Sequence, residues 1–254
     1  MKLSFTGASD PGLIRSNNQD FYYIDPKGRF FIVADGMGGH AGGEEASRIA
    51  AEEIKSFLLA NWDSEKSSQY LLEEALGKAN QAILQDQEKN PERADMGTTI
   101  VVVTFRNGET PWRAHVGDSR LYRFREQILE QMTQDHTWVA RAIQFGDITP
   151  DEARMHPFRH VLSQCLGRED LQEFDVKPLE VQSGDRLLLC SDGLTEELMD
   201  EKIASFLTET PTLDKAAVNL IQAAKDQGGH DNITVILVSL EDKSVVQAQT
   251  IESH

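Results

Sequence analysis

An α+β fold, with strands and helices in separate groups, is the class this sequence predicts. Two observations carry the prediction. Apolar runs of strand length, β-branched or aliphatic, recur at 30–34 ("FFIVA"), 99–105 ("TIVVVTF"), 187–190 ("LLLC") and 233–238 ("ITVILV"). Helical periodicity is strongest at 44–59, 68–86 and 213–226, so helices come in pairs or singly between groups of strands. A doubly wound parallel sheet would instead alternate strand and helix throughout.

In chain order, short mixed strands are expected at 3–9 and 20–25, followed by the run at 30–34. Helix 44–59 gathers Ala46, Ile49, Ala50, Ile54, Phe57 and Leu58 on one face, and helix 68–86 gathers Leu72, Ala75, Leu76, Ala79 and Ile83. After the run at 99–105 come mixed strands at 112–116, 120–125 and 128–132. Residues 139–168 are the least regular stretch, with Gly146, Pro150, Pro157 and Gly167 around a short helical piece near 150–155, and are expected to form a mobile flap. The run at 187–190, helix 213–226 and the run at 233–238 complete the order. The apolar runs lack clean alternation, as suits strands buried on both faces. Residues 1–240 are expected to form one domain, and the polar segment 241–254 a flexible tail.

Composition narrows the function classes. Of the 254 residues 39% are hydrophobic and 26% charged, as in soluble globular proteins. The formal net charge of −17 leaves no basic excess to neutralise nucleic-acid phosphates. No apolar run approaches a membrane span, and "MKLSFTGASD" lacks the apolar core of a signal peptide, so a cytoplasmic protein is expected. Cys165 and Cys190 are too few for a disulfide framework or zinc site and read as reduced thiols. With no apolar stripe evident on a polar face, a monomer is expected.

Acids recur where buried strands end. "FFIVADG" places Asp35 and Gly36 after one strand and "LLLCSDG" places Asp192 and Gly193 after another, while Asp118 follows "RAHVG" and Asp231 precedes "NITVILV". Any one such Asp-Gly pair is ordinarily a turn former. Together they can converge on one rim, where unit charges 4 Å apart repel by about 4 kcal/mol at an effective dielectric of 20. Convergence therefore implies a cation, and an all-oxygen set favours Mg²⁺ or Mn²⁺ over zinc. Glycines 36, 38, 39, 42 and 43 fit this reading, because a loop without side chains lets a backbone carbonyl approach an ion. Two phosphate-loop readings compete. Gly38 to Gly43 has Walker spacing, but Glu44 and Glu45 stand where Lys and Ser or Thr belong. Gly36 to Ala41 fits a loose dinucleotide fingerprint, yet Asp35 would face the pyrophosphate.

The ordered set "RSNNQD" (15–20), "DGMGGHAGGEEAS" (35–47), "MGTT" (96–99), "HVGDSR" (115–120), "DHTW" (135–138), "SDGL" (191–194) and "GGHDNIT" (228–234) resembles the PPM, or type 2C, metal-dependent protein serine/threonine phosphatases over residues 3–240. The resemblance implies a four-layer α-β-β-α sandwich, two antiparallel sheets flanked by helix pairs, with the metal centre at one end. It implies two or three Mg²⁺ or Mn²⁺ ions: Asp35 bridging two, the Gly36 carbonyl on one, Asp192 and Asp231 completing the first site, and Asp20 holding water in the second. Asp118 with Asp192 matches a third, weaker site. Arg15 matches the phosphate-binding arginine and His40 the general acid, so the implied reaction is phosphoserine or phosphothreonine hydrolysis by a metal-bridging water or hydroxide. Met37 departs from the His that many eukaryotic members carry there, at a side chain that is not a ligand. "MGGHAGGEEASR" and "HVLSQCLGRED" are most similar to the cyanobacterial branch acting on the PII signalling protein, which implies phosphorylated PII as the protein partner. The alternative is an inactive phosphatase-like domain that binds phosphoproteins or regulates a partner; it would ordinarily have lost a ligand, and Asp20, Asp35, Asp192 and Asp231 are all present.

Overall fold

Alternation hidden within the apolar runs builds the core. In the computed structural model, which describes residues 1–39, 42–106, 108–171 and 173–241, strand β3 (Phe30–Met37) sends Phe30, Ile32 and Ala34 to one apolar cluster and Phe31 and Val33 to another. Both faces are covered, so the sequence shows no polar alternation. Strands β10 (Arg186–Cys190) and β11 (Ile233–Glu241) divide in the same way: Leu187, Leu189, Ile236 and Val238 join the cluster holding Phe31, while Leu188, Cys190, Val235 and Leu237 line a third.

That shared middle cluster lies between two sheets. One runs β1 (Lys2–Asp10), β11, β10, β7 (Arg120–Arg125), β8 (Ile128–Gln131); the other runs β2 (Asp20–Ile24), β3, β5 (Ile100–Thr104), β6 (Trp112–Val116), β9 (Asp175–Pro178), with β4 (Gly97–Thr98) beside β3. Every pairing is antiparallel. Helices α1 (Gly42–Asn61) and α2 (Ser68–Lys89) cover the second sheet through Ala46, Ala50, Ile54, Leu72 and Leu76. Helices α6 (Asp200–Glu209) and α7 (Leu213–Gln227), with the short α5 (Asp192–Thr195), cover the first through Leu194, Ile203, Leu207 and Leu220. The result is the expected four-layer sandwich. Each wholly buried Leu, Ile or Phe contributes about 1.5–3 kcal/mol, so the three clusters hold the strand ends in place.

Local chemistry explains the boundaries. The Ser67 hydroxyl accepts from the Tyr70 N–H to start α2, and Thr212 does the same for α7 with Lys215. The segment expected to be irregular contains more helix than its glycines and prolines imply. Thr137 caps α3 (Trp138–Phe145), which Gly146 ends in the left-handed conformation, and Thr149 with Glu152 forms a capping box on α4 (Pro150–Arg154). Around it Trp138, Phe145, Met155, Phe158 and Val161 are exposed, which corrects the expectation of a surface without an apolar patch. Cys165 and Cys190 are free and buried. No helix among the described residues is long and apolar enough to cross a membrane. The tail expected at 241–254 lies outside the described residues beyond Glu241.

Candidate metal centre

Strand register places the first two acids. Asp20 opens β2 directly opposite Asp35 near the end of β3, an arrangement that is destabilising for like charges. At the same end, Asp118 lies in the turn between β6 and β7, Asp192 begins α5 where β10 stops, and Asp231 precedes β11. Asp35, Gly36, Asp118, Asp192 and Asp231, with Arg15, line one cleft of about 750 Å³. Asp20 is buried beside it, its Oδ2 accepting from Ser191 Oγ at 2.7 Å.

Burial, and then the charges of neighbouring acids, raise Asp20, Asp35, Asp118 and Asp192. Burial, with the charges of Asp192 and Asp231, pushes Asp20 to about 7 against hydrogen bonds from Thr234 and Ser191. Asp192 is pushed to about 6 by burial and Asp231, although Asp35, Arg120 and Arg15 favour its charged form. Burial and neighbouring acids hold Asp35 and Asp118 well above the carboxylate range. Among the described residues, Asp20 Oδ1 and Asp192 Oδ1 are buried without a hydrogen-bond partner. An orphaned, all-oxygen set in mutual repulsion fits hard divalent cations such as Mg²⁺ or Mn²⁺. At the cleft edge the Arg15 guanidinium donates to Asp231 Oδ2 at 2.7 Å while half of its side chain remains exposed.

This geometry coincides with a sequence match. The family model described as protein phosphatase 2C matches residues 15–237. The chain belongs to the protein phosphatase 2C family. It is 37% identical to the serine/threonine protein phosphatase PstP of Mycobacterium tuberculosis over 98% of this chain, but spans only 47% of that relative's length. It is 35% identical to protein phosphatase PhpP of Streptococcus pneumoniae over 92% of this chain and 96% of that protein. The crystal structure of Mycobacterium tuberculosis PstP superposes with a TM-score of 0.86 at 38% identity, covering 94% of this chain and 99% of that one. A PstP catalytic domain described in complex with two manganese ions aligns at 36% identity and a TM-score of 0.83, covering 94% of this chain and 99% of that one.

Within this family frame, residues that sequence reasoning left without a role hold the acids. Thr98 Oγ1 donates to the Asp35 carbonyl at 2.8 Å, Thr99 N–H donates to the same oxygen at 2.8 Å, and Thr99 Oγ1 accepts from the Asp35 N–H at 3.1 Å. Asn232 accepts from Gln19 N–H at 2.7 Å and donates to the carbonyls of Pro11 and Asn17, tying the 11–19 loop to the start of β11. The glycines gain a second reason. A Cβ at Gly36 would lie 1.9 Å from the Gly43 carbonyl oxygen and one at Gly193 would lie 2.1 Å from that of Asn232, so backbone packs on backbone where acids must converge. Thr98, Thr99 and Asn232 fall inside the motifs "MGTT" and "GGHDNIT", but spacing alone does not reveal which partner each fixes.

From segment 139–168, Arg159 and His160 reach the cleft. His160 Nδ1 lies 2.5 Å from Glu196 Oε1, and His160, Asp192 and Glu196 offer ligand atoms within 4.8 Å of one another. Arg168 pairs with Asp170. Glu196 was missed in the sequence because no motif marks it; its place on the turn after Asp192 is the available signal. His40 lies outside the described residues.

Proposed function

We propose that this chain hydrolyses phosphoserine and phosphothreonine in proteins with the help of divalent cations. The observation that carries the reading is the rim of buried carboxylates in which Asp20 Oδ1 and Asp192 Oδ1 have no hydrogen-bond partner among the described residues. Asp20, Asp35, the Gly36 carbonyl, Asp192 and Asp231 would hold two Mg²⁺ or Mn²⁺ ions, and Asp118 with Asp192 a third. Such ions, when bound, polarise phosphoryl oxygens and lower the pKa of water.

The protein's own groups supply orientation and proton transfer. Arg15, half exposed at the cleft edge, presents a planar fork that can exchange Asp231 for two phosphate oxygens. His40 is proposed as the proton donor to the departing serine oxygen. Its replacement by Ala should slow turnover more on a phosphoserine peptide than on an aryl phosphate, whose phenolate leaves without a proton; equal losses would remove that role. Arg159 and His160 are proposed to orient a folded phosphoprotein over the cleft. Phosphorylated PII is the proposed substrate, supported by "MGGHAGGEEASR" and "HVLSQCLGRED".

Hydrolysis of an aryl phosphate in Mn²⁺ and in chelator tests the reaction. Activity only with metal supports it, and none in either condition favours an inactive phosphoprotein-binding domain. Intact enzyme that leaves phosphorylated PII untouched while cleaving the aryl phosphate would remove PII alone.

A further inference from the structure

The turn that carries Asp118 is gripped from outside the acid rim. Gly117, at φ +104°, occupies a conformation that side chains rarely adopt, and a Cβ there would stand 2.6 Å from Thr99. Both of its backbone polar groups go to one residue. Gly117 N–H donates to His136 Nδ1 at 3.2 Å, and His136 N–H donates back to the Gly117 carbonyl at 2.9 Å. The next residue but one is fixed from the other side, where Ser119 Oγ and Thr99 Oγ1 share a hydrogen bond of 2.7 Å.

His136 also joins this turn to both roots of the flap. Thr137, its neighbour, caps α3, and the His136 carbonyl accepts from Ser163 N–H at 2.8 Å on the returning chain. Its ring is itself supported. His115 stacks on it with centroids 4.5 Å apart and, wholly buried, places Nε2 2.9 Å from the Gln134 carbonyl while Arg113 and Asp175 face Nδ1. A ring that accepts at Nδ1 must be neutral with its proton on Nε2, and burial favours that neutral form against the charges of Asp175 and Asp135.

We infer that His136 is a positioning residue for Asp118: its imidazole Nδ1 and backbone N–H bracket Gly117 and so set the carboxylate that, with Asp192, would hold the third and weakest cation. The inference rests on the proposed metal reading of Asp118. Partners that orient ligands without touching the ion commonly govern affinity by about 10- to 100-fold, and loss of the Nδ1 acceptor would take from the Gly117 N–H the partner that fixes its side of the turn.

Two substitutions separate positioning from packing. His136→Phe keeps a stacked ring of similar size and removes the acceptor, whereas His136→Asn keeps an acceptor near the Nδ1 position and loses the stack. Calorimetric titration of the chelator-treated full chain with Mn²⁺, with Asp118→Ala as reference, gives a readout independent of turnover. The expected result is that His136→Phe weakens the lowest-affinity Mn²⁺ step by about 10-fold or more, as Asp118→Ala does, that the tighter steps are unchanged, and that His136→Asn restores the weak step. If Asp118→Ala weakens that step but His136→Phe leaves it intact, or if Phe and Asn lower it equally in proportion to their loss of Tm, the positioning role is overturned while the metal reading stands. If Asp118→Ala itself leaves every step unchanged, the assignment of Asp118 fails and the inference with it.

Discussion

The two ends of the sandwich treat buried acids in opposite ways. At the end away from the cleft, Asp25 follows β2 and Asp185 precedes β10, both with no exposed surface. Asp25 accepts from the Lys27 and Arg29 N–H groups and from Arg29 Nε and Nη2, and Asp185 from the Gln182 N–H and from Arg125 Nε and Nη2. Burial raises each carboxyl, but these hydrogen bonds and charges win and hold both below the ordinary value. At the cleft end burial acts in the same direction, yet the neighbours of Asp20, Asp35, Asp118 and Asp192 are mainly one another. The same strands thus end in satisfied carboxylates on one side and unsatisfied ones on the other. That a chain able to pair buried acids internally leaves these unpaired is what supports the proposal that they hold a cation from solution.

The largest expected effect breaks the cleft end directly. Asp35→Ala should cost several kcal/mol of transition-state stabilisation, a fall of at least about a thousandfold in kcat/KM on an aryl phosphate at 1.4 kcal/mol per tenfold. Near-normal kinetics would show that Asp35 holds no cation the reaction needs.

Next, equal chemical changes at the two ends should have opposite signs. Asp25→Asn, by weakening charge-assisted hydrogen bonds, should destabilise the protein by about 2 kcal/mol, lowering Tm by about 4–8 °C for a chain of this size. Asp20→Asn should instead raise the Tm of the chelator-treated protein at pH 8, because it removes a charge the fold disfavours, while reducing the stabilisation by Mn²⁺. Parallel losses in the two variants would erase the distinction.

A smaller effect is expected in pH dependence. Asp20 and Asp192 have folded-state values raised to about 7 and about 6, so the metal-free fold binds more protons than the unfolded chain above the ordinary carboxylate range. Their contribution is present at low pH and is lost as pH rises through those values. The lowered Asp25 and Asp185 contribute in the other sense, losing stability only as pH falls below the ordinary range. Metal-free Tm should therefore decline from about pH 5 to about pH 8, with Mn²⁺ opposing the decline more strongly as pH rises because its ligands must be deprotonated. A metal-free Tm that climbs over this interval would contradict the shifts.

The contrast was partly legible in the sequence. Apolar runs bordered by Asp35, Asp192 and Asp231 marked the strands together with the candidate ligands, because a buried strand and the acid at its end are close neighbours in the chain. Helices α1, α2 and α7 were readable because each packs a single apolar face on a sheet. Helix α6 and the two-residue β4 were missed: α6 carries a weaker buried stripe of Ile203 and Leu207, and β4 exists only through its pairing with β3. Helix α3 was masked by the glycine and prolines around it, its boundaries being set by Thr137 and Gly146. The restraints from Asn232, Ser191, Thr99 and His136 were hidden for a different reason, since each joins segments far apart in sequence through individual hydrogen bonds. No periodicity records such a bond.

Thermal denaturation of the chelator-treated protein against Mn²⁺ concentration tests most directly whether the cleft acids are held for a cation. At 100 times the dissociation constant the predicted gain is about 2.7 kcal/mol, or a rise in Tm of about 5–11 °C, retained in Asp25→Asn and lost in Asp35→Ala. A Tm that stays level as Mn²⁺ is raised to millimolar concentration, or that rises equally in Asp35→Ala, would contradict it.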